Sequence, residues 1–136
     1  MLLDDIATYL AAQSTRLTVG TNLTKGFMPE QAGTVTTIYE TGGFEALHYM
    51  TTSTGTRSYE RPGLMIHTRS TGYADGRLTI EDVFTILDGV HDTTLPTATG
   101  TPYVSITAVQ SPFLTGRDSN DRYVFSVNFD VTKTTG

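Results

Sequence analysis

The 136-residue sequence predicts one α+β domain, with two main helices packed on one face of an antiparallel or mixed β-sheet. Three observations predict it. In RYVFSVNFDV, residues 122–131, Tyr123, Phe125, Val127, Phe129 and Val131 alternate with Val124, Ser126, Asn128 and Asp130, the period of a strand with one covered face. In TIEDVFTILDG, Ile80, Val83, Phe84 and Leu87 recur at i, i+3, i+4, i+7, the stripe of an amphipathic helix. Threonine and glycine are abundant and only 38% of residues are hydrophobic, a composition that favours strands and turns over long helices.

The elements follow in order. Leu2–Gln13 reads as a helix: Asp4 and Asp5 sit in its first turn, where the helix dipole favours acids, and Leu3, Ile6 and Leu10 form its apolar stripe, flanked by Leu2 and Tyr9. LTKGFMPE gives a short strand stopped at Pro29. TVTTIYE, residues 34–40, is β-branched enough for a strand, with Val35, Thr37 and Tyr39 on one face and Ile38 on the other. Residues 41–57 lack periodicity and read as a long polar loop that nonetheless carries Phe44, Leu47, Tyr49 and Met50.

YERPGLMIHTRS, residues 59–70, is a strand in which Pro62 should stand at the first residue or on an edge, because proline has no N–H to give a ladder. The helix near residues 73–88 follows, with Thr71 as N-cap and Gly89 at the C′ position. PYVSITAV, residues 102–109, places Val104, Ile106 and Ala108 on one face of a strand. The second long loop, residues 110–121, again holds apolar residues, Phe113 and Leu114.

Bulk properties exclude several classes of function. There is no cysteine, so a disulfide scaffold, a thiolate metal site and a cysteine nucleophile are absent. The net charge of −5 and nine dispersed Lys and Arg give no basic face for a phosphate backbone. No apolar run is long enough to span a bilayer, so no membrane association is expected. MLLDDIATYL carries acids where a signal peptide carries positive charge, so a mature start and a cytoplasmic site of synthesis are expected.

No catalytic pattern emerges. His48, His67 and His91 lack ligand spacing, and no nucleophile elbow or phosphate-binding loop is present. Asp118, Asn120 and Asp121 lack the central glycine and distal glutamate of a calcium loop and read as a turn. No metal or cofactor is expected.

The segments PEQAGTVTTIYETGGF (29–44), YERPGLMIHTRS (59–70) and QSPFLTGRD with RYVFSVNFDV (110–131), preceded by LLDDIATYLAAQ, resemble the minor capsid or tail-terminator family of tailed bacteriophages. The departures, TTSTGTR before Tyr59 and TTLPTATGT at 93–101, fall in predicted loops. The resemblance implies a homo-oligomeric ring, usually a hexamer, at the head-proximal end of the tail tube. Such a ring stops tube polymerisation, contacts the major tail tube protein and the head–tail connector protein, and lets DNA pass its lumen without specific binding. It implies a non-enzymatic virion protein of the head–tail junction, assembled in the host cytoplasm. Phe44, Leu47, Tyr49, Met50, Phe113 and Leu114 would then be contacts to neighbouring subunits or partners. A connector stopper or minor head protein remains an alternative, as does a nucleic-acid-binding α+β domain stacking bases on Tyr123, Phe125 and Phe129.

Overall fold

The computed structural model describes residues 2–31, 33–48, 58–95 and 100–134. Two helices, α1 (Leu2–Gln13) and α2 (Tyr73–Leu87), accompany seven strands: β1 (Leu23–Lys25), β2 (Val35–His48), β3 (Ser58–Ser70), β4 (Val90–Leu95), β5 (Thr101–Ala108), β6 (Phe113–Arg117) and β7 (Tyr123–Thr134). They form one mixed sheet in the order β1-β2-β3-β7-β5-β4, with β6 beside β7. Among the named strands of the described residues, β1 and β2 run parallel and the other pairings are antiparallel. The fold is α+β.

The cleanest alternation in the sequence becomes the organising strand. Along one edge β7 pairs with β3; along the other it takes β5 at residues 129–133 and β6 at residues 123–126. Its period-two face is buried: Phe125, Val127, Phe129 and Val131 have almost no exposed surface. Register aligns Ile38 with Ile66 and Val127, and Leu64 with Phe129 and Ala108. These residues join Leu2, Ile6, Ala7 and Leu10 of α1 and Ile80, Val83 and Leu87 of α2 in one hydrophobic core. Each such side chain contributes about 1.5–3 kcal/mol on full burial.

The stripe of α1 is centred on Leu2, Ile6 and Leu10, with Leu3 and Tyr9 only partly buried. Asp5, expected as a dipole partner, is itself buried and accepts a hydrogen bond from the Tyr103 hydroxyl at 2.9 Å. In α2 the N-cap is Gly72 rather than Thr71, with no side-chain cap bond, and Gly89 adopts the expected positive φ of 87°.

Several expectations need correction. The loop expected at residues 41–57 begins as strand: β2 continues to His48, pairing Phe44 with Arg61 and Leu47 with Tyr59. Two register shifts, between Thr41 and Phe44 and between Phe44 and Leu47, erase the period that would have revealed it. Pro62 does not open its strand but lies inside β3, opposite the first of these irregularities, where the ladder to β2 is already interrupted. The backbones approach so closely there that a Cβ on Gly43 would stand 1.9 Å from the Arg61 carbonyl oxygen, and one on Gly63 would stand 2.1 Å from Thr41 Oγ1.

The loop expected at 110–121 contains β6, bulged between Leu114 and Gly116. Residues 93–95, also read as loop, belong to β4, the edge strand that the sequence reading lacked. The strand expected over LTKGFMPE ends at Lys25, well before Pro29, with Gly26 turning at φ 72°. In β5 a register shift between Tyr103 and Ser105 reverses the expected alternation at Val104, leaving it exposed while Tyr103 enters the core.

Candidate functional site

The sheet face opposite the core presents successive rows of side chains. Tyr39, Met65 and Asn128 make one row; Thr37, His67, Ser126 and Phe113 make the next. Val109 adjoins the first through its N–H, which donates to the Asn128 carbonyl at 2.8 Å. Antiparallel sheets commonly turn polar residues outward. Here Val109 and Phe113 are exposed and Tyr39, His67 and Met65 are half-buried. His67 and Tyr39 meet edge to face with centroids 5.5 Å apart; burial lowers the His67 pKa and raises that of Tyr39. Asp130, on the same face, is exposed and forms no ion pair among the described residues.

On the Phe125 side of the sheet a second surface centres on Tyr73, the first residue of α2. Its ring stands edge-on to Tyr123 and Phe125, at 5.7 and 5.4 Å between centroids. Arg117 lies 4.6 Å over the Tyr123 ring and donates to its hydroxyl at 2.6 Å, a bond that raises the arginine pKa. Leu114 pairs with Phe125 and so shares this face, and Arg77 of α2 reaches β6 by donating to the Pro112 carbonyl. Tyr73 is 50% and Leu114 is 42% exposed, so large apolar surface remains uncovered beside a cation.

Phe113 and Leu114, expected to act together, therefore point to opposite faces of the sheet. Phe44 is 61% exposed near the far end of β2, with the Arg61 guanidinium 5.2 Å over its ring. Leu47 belongs to β2 by backbone pairing, but its side chain lies outside the described residues, as do Tyr49 and Met50 entirely. Along β7 the levels of Phe113 and Phe44 differ by about six residues, roughly 20 Å at strand rise, so the two expected contact segments lie far apart. Sequence reading missed Tyr73, Val109 and Arg117. Tyr123 it placed on the core face, correctly, but without its role under Arg117.

A strap formed by residues 26–31 is pinned by charge to Arg69 and Arg122. Glu30 accepts from Arg122 at 3.0 and 3.2 Å and lies 3.8 Å from Arg69. Arg69 also donates to the Pro29 carbonyl at 2.6 Å, and both arginines are buried. The Asp118 carboxylate accepts the backbone N–H groups of Arg122 and Asn120 and the Arg122 side chain. Those bonds, the Arg122 backbone first, hold its pKa below the usual carboxylate value. The acidic run is thus a turn that anchors an arginine. Phe27 on the strap is 70% exposed.

A cavity of about 240 Å³ is lined by Arg16, Leu17, Asn22, Thr34, Thr36, Asp75 and Thr79. Its threonine hydroxyls are engaged with Ser70, Thr68 and the Asp75 carbonyl. Among the described residues no group of three His, Asp or Glu side chains could hold a metal ion, and no helix is long and apolar enough to cross a membrane.

No curated protein matches the sequence. A solved structure described as the virion of a native gene transfer agent particle shares the fold: its matching chain superposes with a TM-score of 0.63 at 16% identity, covering 98% of this chain and 95% of that one. Residues 9–135 match the family described as bacteriophage tail terminator protein, a span that takes in α2 and all seven strands. The chain belongs to the bacteriophage tail terminator family and is a structural protein of the phage tail.

Proposed function

We propose that this chain is the subunit of a ring, a hexamer, that caps the head-proximal end of the tail tube, stops tube polymerisation and joins tail to head. The family match over residues 9–135 carries this reading. In support, exposed apolar side chains stand on both sides of the sheet, Phe113 on one and Leu114 with Tyr73 of α2 on the other, the kind of surface that marks protein contacts. Both helices lie on the core side in this reading, leaving the opposite face for contact. The partners are further copies, the major tail tube protein and the head–tail connector protein. Phe44, Leu47, Tyr49, Met50, Phe113 and Leu114 belong to those contacts. The role is non-enzymatic and needs no cofactor. A chain of net charge −5 suits a lumen through which DNA slides without adhering. The same fold occurs in a chain of the virion of a native gene transfer agent particle.

Deleting the gene from its phage tests the reading. Tails of uncontrolled length, lacking heads, are expected; tails of normal length would overturn it. Immunogold labelling of separated heads and tails should mark the tail end, whereas label on heads alone would assign the chain to the connector instead.

A further inference from the structure

We propose that the ring closes head to tail, with the Tyr73–Leu114–Arg117 surface of one copy seated on the Met65–Val109–Phe113 face of the next, and Arg117 opposite Asp130. The inference rests on the ring reading and adds to it the two surfaces that meet. Register assigns them to opposite faces: Leu114 pairs with Phe125 on the core side, while Phe113 pairs with Ser126 on the other. One five-residue strand, β6, thus contributes an exposed apolar residue to each.

Two distinct patches on opposite sides of one subunit cannot satisfy each other within it. Matched between copies, they make a heterologous contact, the kind that closes into rings when the rotation per subunit allows. The composition suits an interface core: tyrosine and arginine are enriched at binding hot spots, and Tyr123 is already held between the edge-on Tyr73 ring and Arg117 over its face, so little freedom remains to be lost on docking. The charges are complementary. Arg117 is exposed, its one acidic neighbour among the described residues being the solvated Asp121 at 3.8 Å, and the opposite face offers Asp130. The nearby Arg77 is already paired with Glu81 at 2.9 Å. One exposed arginine beside tyrosine and leucine fits a protein face bearing one acid better than a nucleic acid, whose phosphates call for several.

Charge exchange between copies tests the contact. Arg117→Glu and Asp130→Arg are both surface changes, and unaltered circular dichroism and melting will confirm folding. Wild-type protein in native mass spectrometry and light scattering should give a closed oligomer. Each single variant should weaken assembly by about tenfold or more, because like charges would face each other. Mixing the two variants restores every Arg–acid pair between alternating copies, so the mixture should reassemble to the wild-type mass. Single variants that assemble like wild type would overturn this contact and leave the ring standing, as would a mixture that fails to reassemble. A wild-type chain that stays monomeric at high concentration would overturn the ring itself.

Discussion

Tyr103 and Asp5 stand 98 positions apart in the chain and meet in the core, the phenol hydroxyl donating to Asp5 Oδ2 at 2.9 Å. The bond fastens α1 to β5 at a point where both residues are shut off from solvent. Tyr103→Phe removes the donor while keeping the ring, so it leaves a buried acceptor short of one partner. A loss of about 1–3 kcal/mol in urea-unfolding free energy is expected.

The same pair sets an alkaline limit. Burial first, then the Asp5 bond, pushes the Tyr103 phenol well above its ordinary value of 10.0. Above pH 10 the unfolded chain releases this proton and the folded chain keeps it. Stability is therefore full below about pH 10 and falls as pH rises further, by about 1.4 kcal/mol per unit while the difference lasts. Urea midpoints measured from pH 8 to 11 should decline more steeply for wild type than for Tyr103→Phe. Parallel curves would refute the assignment.

Helix propensity and packing disagree at Gly76. Alanine in a helix is favoured over glycine by about 1 kcal/mol. Yet a Cβ there would lie 2.6 Å from Phe125 Cε2 and 3.0 Å from Ser70 Cβ, both on the buried side of α2. The clash wins, since overpacking costs about 1–3 kcal/mol, and Gly76→Ala should lower the melting temperature. A more stable variant would show that α2 rides farther from β7 than described.

Asp118 gives the protein an acid-sensitive corner. Its folded pKa is lowered, so its contribution is complete above the ordinary carboxylate range and fades as pH falls through the folded value. Asp118→Asn should be less stable than wild type at pH 7 and converge with it in acid. Thermal melts at pH 7 and pH 3 decide the matter: a gap that persists undiminished in acid would assign the loss to packing.

Gly43→Ala forces a Cβ against the Arg61 carbonyl at the crossing of β2 and β3. Amide exchange should quicken over residues 41–48 and 58–61 while β7 stays protected, because the core residues lie elsewhere along the sheet. Uniform protection across the whole sheet would mean the strands pass with more room than they show.

What was legible in the sequence is the part whose periodicity is unbroken. Residues 2–13, 73–87 and 123–131 each bury one continuous stripe, so pattern and burial coincide. Bulges hid the rest. Each inserted residue reverses the inward-outward alternation, and β2, β5 and β6 all carry one or more. Parity changes inside a strand look like absence of a strand, which is why 41–48 and 113–117 read as loops. Of the apolar residues in those stretches, Phe44, Phe113 and Leu114 are exposed. Tyr73 gave no signal in the sequence: its exposure depends on where α2 begins over β6 and β7, a tertiary fact.

The position of β7 carries a consequence for how the protein comes into being. Until residues 123–134 have been synthesised, β3, β5 and β6 lack the strand that unites them, and β1–β2–β3 and β4–β5 are separate fragments. The domain cannot complete its core until β7 has joined it, and its long-range pairings are the topology associated with slower folding. An incomplete translation product therefore has no finished sheet with which to enter and spoil a growing assembly. Quality control is built into the order of the strands.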